Sequence, residues 1–329
     1  MTGVDSTGLE ESAHSTGDVD ALPVDEAASL CERVERNVSE VIVGNEGVIR
    51  EVVTAILARG HVLIEDVPGV GKTMLTRSIA RSVDCEFSRV QFTPDLLPSD
   101  ITGVNVFNQQ TREFEFQPGP VFGNVVLADE INRAPPKTQS ALLESMEETQ
   151  VTVDGETRPL PSPFTVIATQ NAVEPSQTYE LPLAELDRFM KKLSLGYPDP
   201  ADESRLLDRT TSHHPIAALE PVADRRDVLR ARETVAETTV REPVRHYAAR
   251  IAAYTREHAE IGVSPRGTIA LVRAAMARAV AEERGYVIPE DIAAVAQETL
   301  AHRIRFSTAH EDAAAADLVA EALSTVPVE

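Results

Sequence analysis

The sequence has no tryptophan, two cysteines, and only four lysines (Lys72, Lys137, Lys191 and Lys192) among its 31 basic residues. Cys31 and Cys85 stand far apart without CxxC spacing, which argues against a disulfide framework and a zinc site and fits a reducing interior. No apolar run approaches the ~20 residues of a membrane helix, and no basic-then-apolar leader opens the chain. The expectation is a cytoplasmic protein. Basic charge is also short: 53 acidic residues leave a net charge of −22. Phosphate neutralisation along a nucleic acid needs clustered Lys and Arg, so nucleic acid is a disfavoured partner. An acid-rich, lysine-poor composition resembles that of proteins from salt-accumulating cytoplasms. At ~1 M salt the Debye length falls to about 3 Å and surface self-repulsion is screened.

What is present suffices for two domains: 329 residues, 42% of them hydrophobic. The rest is organised around residues 61–73, HVLIEDVPGVGKT. Val62, Leu63 and Ile64 read as a buried strand that stops at Glu65-Asp66, passes a loop and opens into a helical stretch, MLTRSIARSV. A strand feeding a glycine-rich turn and then a helix can cradle a polyphosphate. Pro68, Gly69, Val70 and Gly71 form the turn, where glycine lets backbone amides approach the ligand. The helix N-terminus adds partial positive charge. Lys72 is then the candidate for the β- and γ-phosphates and Thr73 for a Mg²⁺ ligand, with Met74 beside them. Asp66 replaces the first glycine of GxxxxGK[ST]. A carboxylate there repels a triphosphate unless it points away.

Before this loop, EAASLCERVERNVSEV and VGNEGVIREVVTAILARG read as helices, with a Gly44-Asn45 turn between them that could lie against a base. After it, FSRVQF is a second strand, TPDLLPSDITG a loop, and VNVFNQQTREFEFQPGPVF a hairpin turning near 109–112. VVLADE places Asp129 and Glu130 at the end of a central strand, where ligands gather in open α/β sheets. Asp129 is the candidate for the Mg²⁺ shell and Glu130 for orienting or deprotonating water. A helix follows Pro135-Pro136, and VTVDGETRPL is a hairpin turning at Asp154-Gly155. FTVIATQN, a fourth strand, delivers Thr169, Gln170 and Asn171 to the same edge. LAELDRFM ends a helix on Asp187-Arg188-Phe189, and KKLSL is a fifth strand. Five strands alternating with helices indicate a parallel α/β sheet.

After Pro200 helical runs follow at about 200–210, 224–235, 241–259, 264–284 and 289–303, with no convincing strand. In GVSPRGTIALVRAAMA, Ser264 suits an N-cap and Pro265 the first helical position, which puts Arg266 in the first turn. A cation there opposes the helix dipole, so an anion should compensate it. His213-His214 lack partners at metal spacing and read as surface residues.

Taken together, VGNEGVIREVVTAILARGHVLIEDVPGVGKT, QFTPDLLPSDITG, GPVFGNVVLADEINRAPPKTQSALLESMEE, TVIATQNAVE, LPLAELDRFM and GVSPRGTIALVRAA resemble the AAA+ ATPases. Specifically, they resemble the MoxR branch, over residues 28–310. The resemblance implies an α/β AAA+ core at 25–198, its five-stranded parallel sheet flanked by helices. An all-helical lid domain at 199–329 would follow. Residues 1–24, rich in Ser, Thr, Gly and Asp with almost no apolar periodicity, read as a disordered acidic tail. The resemblance makes Lys72 and Thr73 a Walker A pair, Asp129 and Glu130 a Walker B pair, and Asn171 sensor 1. Arg188 becomes an arginine finger reaching the neighbouring subunit's nucleotide, Arg266 sensor 2, and Arg133 a further intersubunit or phosphate-sensing residue. The 104–122 hairpin is similar to a helix-2 insert, and 150–160 to the hairpin before sensor 1. ATP and Mg²⁺ are the implied cofactors, and a homo-oligomeric ring, a hexamer, the implied assembly. The implied work is chaperone-like remodelling of a client, with von Willebrand A-type proteins as a partner class. Two other readings stay open. A motor or loader on nucleic acid would need a basic pore or an extra DNA-binding domain. A non-hydrolysing ring subunit would have no need of Glu130 and Arg188.

Overall fold

The computed structural model describes residues 19–171, 179–210, 215–306 and 311–328. Most of the expected acidic tail, and His213-His214, lie outside that range. Helices α1 (Val24–Ser39) and α2 (Glu46–Leu57) precede β1 (Val62–Asp66) and α3 (Lys72–Ser82). Next come β2 (Phe87–Gln91), α4 (Pro98–Thr102), the β3 (Gly103–Asn108) and β4 (Glu113–Pro118) hairpin, and β5 (Val125–Asp129). Helix α5 (Pro136–Glu148), the β6 (Gln150–Val153) and β7 (Glu156–Pro159) hairpin, β8 (Thr165–Asn171), α6 (Leu183–Leu186) and β9 (Lys191–Leu193) complete the α/β part. Among the described residues seven α-helices follow: α7 (Pro200–Thr210), α8 (Pro215–Ala218), α9 (Arg225–Ala236), α10 (Glu242–His258), α11 (Pro265–Ala281), α12 (Pro289–Leu300) and α13 (Glu311–Thr325).

Three local expectations need correction. The stretch read as a loop contains α4, started by Pro98 in its first turn and by the Asp100 carboxylate accepting from the Leu97 N–H at 2.9 Å. Helix α6 stops at Leu186, so Asp187 and Arg188 follow the helix instead of ending it. The helical region also contains α8 and α13 beyond the runs read from periodicity.

The five core strands form one parallel sheet in the order β2-β5-β8-β1-β9. Parallel strands covered on both faces read as continuous apolar runs, as VVLA in β5 does. Alternation still sorts the faces. Val62, Ile64 and Ile167 join a cluster with α1–α3 and α9–α13, while Leu63, Val126 and Val166 pack toward Leu142 and Leu143 of α5. The first cluster runs without a break through helices on both sides of residue 198. Among the described residues, no helix is long and apolar enough to cross a membrane.

Lys191 opens β9 with its side chain fully buried, where its ammonium donates to the Glu51 carboxylate and to Thr54 Oγ1 at 2.9 Å. Burial pulls its pKa down and Glu51 opposes that shift. Removing one partner of a buried pair strands the other. Lys191→Met is therefore expected to cost about 3 kcal/mol in urea unfolding, and a change within error of zero would show that the pair contributes nothing net.

Candidate active site

The phosphate-loop candidate leaves β1 at the carboxyl edge of the sheet and enters α3 at Lys72. Gly69 and Gly71 hold φ of 87° and 98°, a left-handed backbone that glycine adopts without strain. A Cβ on either would meet nothing within 4 Å, so the space beside them is open. Gly71 caps α3 without a side chain, which leaves the first amides of the helix for an anion. Lys72 Nζ donates to the carbonyls of Asp66 (3.0 Å) and Val67 (3.3 Å). Burial lowers its pKa, against the pull of Asp66, Asp129 and Glu130. Thr73 follows, half-buried, in the first turn of α3.

Asp66 does point away from the loop's interior. One carboxylate oxygen accepts from the Val67 N–H at 2.8 Å. The other accepts from Ser194 Oγ (3.1 Å) and from the N–H groups of Leu195 (2.6 Å) and Gly196 (2.8 Å). The charge thereby ties the loop's entrance to the segment after β9.

At the end of β5, Asp129 accepts from Thr169 Oγ1 at 2.7 Å through one oxygen and from Arg89 Nη2 at 2.6 Å through the other. Glu130 adopts φ 57°, ψ 49°, a left-handed conformation that costs a non-glycine residue about 1–2 kcal/mol. Its N–H donates to Thr169 Oγ1 at 2.9 Å. Its carboxylate accepts from Gln91 Nε2 (2.8 Å) and Arg133 Nη1 (2.9 Å). The strained turn thus swings Glu130 out of the strand and fastens it between β2 and Arg133. Asn171 ends β8 beside Asp66 in the β1–β8 register. Its Oδ1 is buried with no partner among the described residues. An open glycine cradle, free helix amides, Lys72, Thr73, Asp129 and this orphaned carboxamide oxygen fit a nucleoside triphosphate with Mg²⁺.

Beside the loop lies a cavity of about 280 Å³ lined by Val41, Val43, Asn45, Met74, Pro198 and Leu206, among others. Its mostly apolar walls suit a purine ring. Asn45 faces this space. Gly44 is not among its lining residues and serves a different need: a Cβ there would come within 1.9 Å of Asp202 Oδ2, so glycine allows α7 to close over the α1–α2 linker.

The two remaining arginines stand elsewhere. Arg188 Nη2 lies 3.5 Å from Glu147 Oε2, and Arg266 Nη1 donates to Glu147 Oε1 at 3.0 Å. Glu147 is therefore the anion that compensates Arg266 at the start of α11. Glu147 follows Met146, whose carbonyl accepts from His61 Nε2 at 3.1 Å, and burial pushes the pKa of that histidine down to about 4. His61 enters β1 at the end opposite the phosphate loop, roughly 17 Å away along an extended strand. Arg188 and Arg266 thus stand together and away from their own chain's Lys72.

Residues 61–191 match the family model of ATPases associated with various cellular activities, and residues 251–322 match an AAA lid domain. The uncharacterized protein YeaC of Bacillus subtilis (strain 168) is 49% identical over 296 residues, which are 89% of this chain and 92% of YeaC. Chaperone MoxR1 of Mycobacterium tuberculosis is 41% identical over 83% of this chain and 75% of its own. The chain belongs to the MoxR family of AAA+ ATPases. A candidate ATPase from Cytophaga hutchinsonii, solved as a crystal structure, matches this MoxR chain with a TM-score of 0.86 at 38% identity. The match covers 93% of this chain and 97% of that one.

Several residues at the MoxR site were missed in the sequence. Arg89 and Gln91 carried a faint signal, polar side chains two apart on one face of a strand. Nothing local said that this strand neighbours β5. Glu147 reads as an ordinary helix-surface acid until α11 is folded against it.

Proposed function

We propose that this MoxR protein hydrolyses ATP with Mg²⁺ in a ring of like subunits, a hexamer, and uses the cycle to remodel or mature client proteins. One observation carries the reading. The Lys72 loop, Asn171, and the Asp129-Glu130 pair stand at the carboxyl ends of β1, β8 and β5, three adjacent strands of one parallel sheet. Lys72 and the loop amides would hold the β- and γ-phosphates, with Thr73 and Asp129 holding Mg²⁺. Bound Mg²⁺ would draw negative charge from the phosphoryl oxygens. Glu130 and Asn171 would orient the attacking water. The grouping of Arg188 with Arg266 away from their own loop supports both acting on a neighbouring subunit's nucleotide. The exposed Phe107 and Phe114 on the 103–118 hairpin support client contact there.

Glu130→Gln protein, loaded with ATP and used for affinity capture in high-salt buffer, tests the remodelling role. Recovery of one or a few specific proteins supports it, including a von Willebrand A-type partner. Recovery of nucleic acid in their place would favour the motor or loader reading. A second measurement tests the proposed high-salt cytoplasm. With a net charge of −22 and four lysines, the melting temperature and the ATPase rate should both rise between about 0.2 and 2 M KCl as screening removes self-repulsion. A melting temperature that is flat or falls with KCl would sink that proposal.

A further inference from the structure

Arg303 closes the short 301–303 turn after α12 and is only 2% exposed. All five of its N–H groups are used. Nε donates to Asp187 Oδ1 at 2.7 Å. Nη2 donates to the carbonyls of Asp187 (3.1 Å) and Phe189 (2.7 Å). Nη1 donates to the carbonyls of Met190 (3.3 Å) and Thr299 and also faces His302 Nε2 at 2.8 Å. The guanidinium from the helical region therefore grips the backbone on both sides of Arg188. A second hold comes from the same region: Ser264 Oγ, which caps α11, donates to Asp187 Oδ2 at 2.9 Å. Gly267 makes this crossing possible, because a Cβ there would lie 2.7 Å from Arg303 Cδ. Arg266, two residues after that cap, shares Glu147 with the Arg188 side chain.

We infer that Arg303 is the positioning residue for Arg188, and that through it the lid of one subunit sets the arginine presented to the next subunit's nucleotide. The inference rests on the proposed trans role of Arg188. The turn after α6 holds Arg188 by its own N–H on the Glu185 carbonyl (3.2 Å) and by the Phe189 N–H on the Leu186 carbonyl (3.0 Å). Arg303 fixes that turn to the helical region, with two hydrogen bonds to Asp187 before Arg188 and two to the Phe189 and Met190 carbonyls after it. A charged carboxylate–guanidinium contact and fully satisfied donors make the hold stiff. Stiffness matters because a misplacement of about 1 Å can cost ~10²-fold in rate. Movement of α11 and α12 against the sheet would carry residues 187–190 along, and Arg188 with them.

The test uses Asp187→Asn, which keeps the shape but removes the charge, and Arg303→Lys, which keeps the charge but removes the fork. The expected result is a kcat lowered about tenfold to 10²-fold with unchanged affinity for a fluorescent ATP analogue, in protein still folded at the assay temperature although its melting temperature falls, because each variant leaves a buried partner unpaired. Arg188→Ala serves as the reference. Asp187→Asn added to Arg188→Ala should lower kcat no further, because both act through one residue. An equimolar mixture of either positioning variant with Lys72→Ala subunits should regain turnover, since the latter still present a correctly held Arg188. A wild-type kcat in Asp187→Asn and Arg303→Lys, with Arg188→Ala inactive, overturns the positioning role and leaves the trans reading standing. An additive loss in the double variant, or no regain in a mixture shown to co-assemble, overturns it as well. If Arg188→Ala itself turns over at the wild-type rate, both readings fall. Should Arg303→Lys fail to fold, the kcat of Asp187→Asn alone decides whether the positioning role stands.

Discussion

Arg188→Ala is expected to lower kcat by about 10³-fold while leaving the affinity for ATP nearly unchanged. A finger arginine stabilises charge that develops only in the transition state, so ground-state binding does not report its loss. The competing explanation is a structural ion pair within the chain. The contact to Glu147 is 3.5 Å long, with the Arg188 side chain 26% and the Glu147 side chain 43% exposed. Such a pair contributes about 0–1 kcal/mol, whereas 10³-fold corresponds to about 4 kcal/mol. Losing the pair alone cannot produce the expected effect. Mixing locates the acting subunit. Lys72→Ala subunits cannot use ATP but still carry Arg188, and Arg188→Ala subunits bind ATP but lack the arginine. In a closed ring of head-to-tail interfaces, random equimolar mixing makes about a quarter of the interfaces productive. Absence of any recovery in mixtures shown to co-assemble would refute action in trans.

Glu130→Gln is expected to bind Mg-ATP as wild type does and to lose about 10²–10⁴-fold in turnover, whereas Lys72→Ala should lose nucleotide binding itself. The two variants separate because their side chains meet different parts of the ligand. Lys72 already lies at the loop entrance on the Asp66 and Val67 carbonyls, placed to trade those contacts for phosphate oxygens. Glu130 is turned out of β5 by its left-handed backbone and fixed by Gln91 and Arg133. Glutamine keeps that shape and can still accept a hydrogen bond, but it cannot take a proton. Equilibrium binding of a fluorescent nucleotide and steady-state phosphate release read the two properties independently. Wild-type turnover by Glu130→Gln would remove Glu130 from the water-activating role. Tight ATP binding by Lys72→Ala would do the same for the phosphate-loop assignment.

The sequence by itself determined the local pieces. A strand, a Gly-rich turn and a helix are contiguous in residues 62–82, so their geometry follows from nearby residues, as does the acidic end of β5. The two hairpins were legible for the same reason, with Asp154 and Gly155 adopting the positive φ that their turn requires. Pairings between distant segments were decided only by the tertiary structure. The order β2-β5-β8-β1-β9 puts Arg89 and Gln91 beside Asp129 and Glu130, about forty residues apart in the chain. The same folding turns Asp66 toward residues 194–196 and joins Arg188 to Arg266 through Glu147. Periodicity reveals which face of an element is buried, but the identity of the neighbour depends on chain crossings that leave no local mark. The direction in which a charged side chain points is settled by whichever donors those crossings bring within reach.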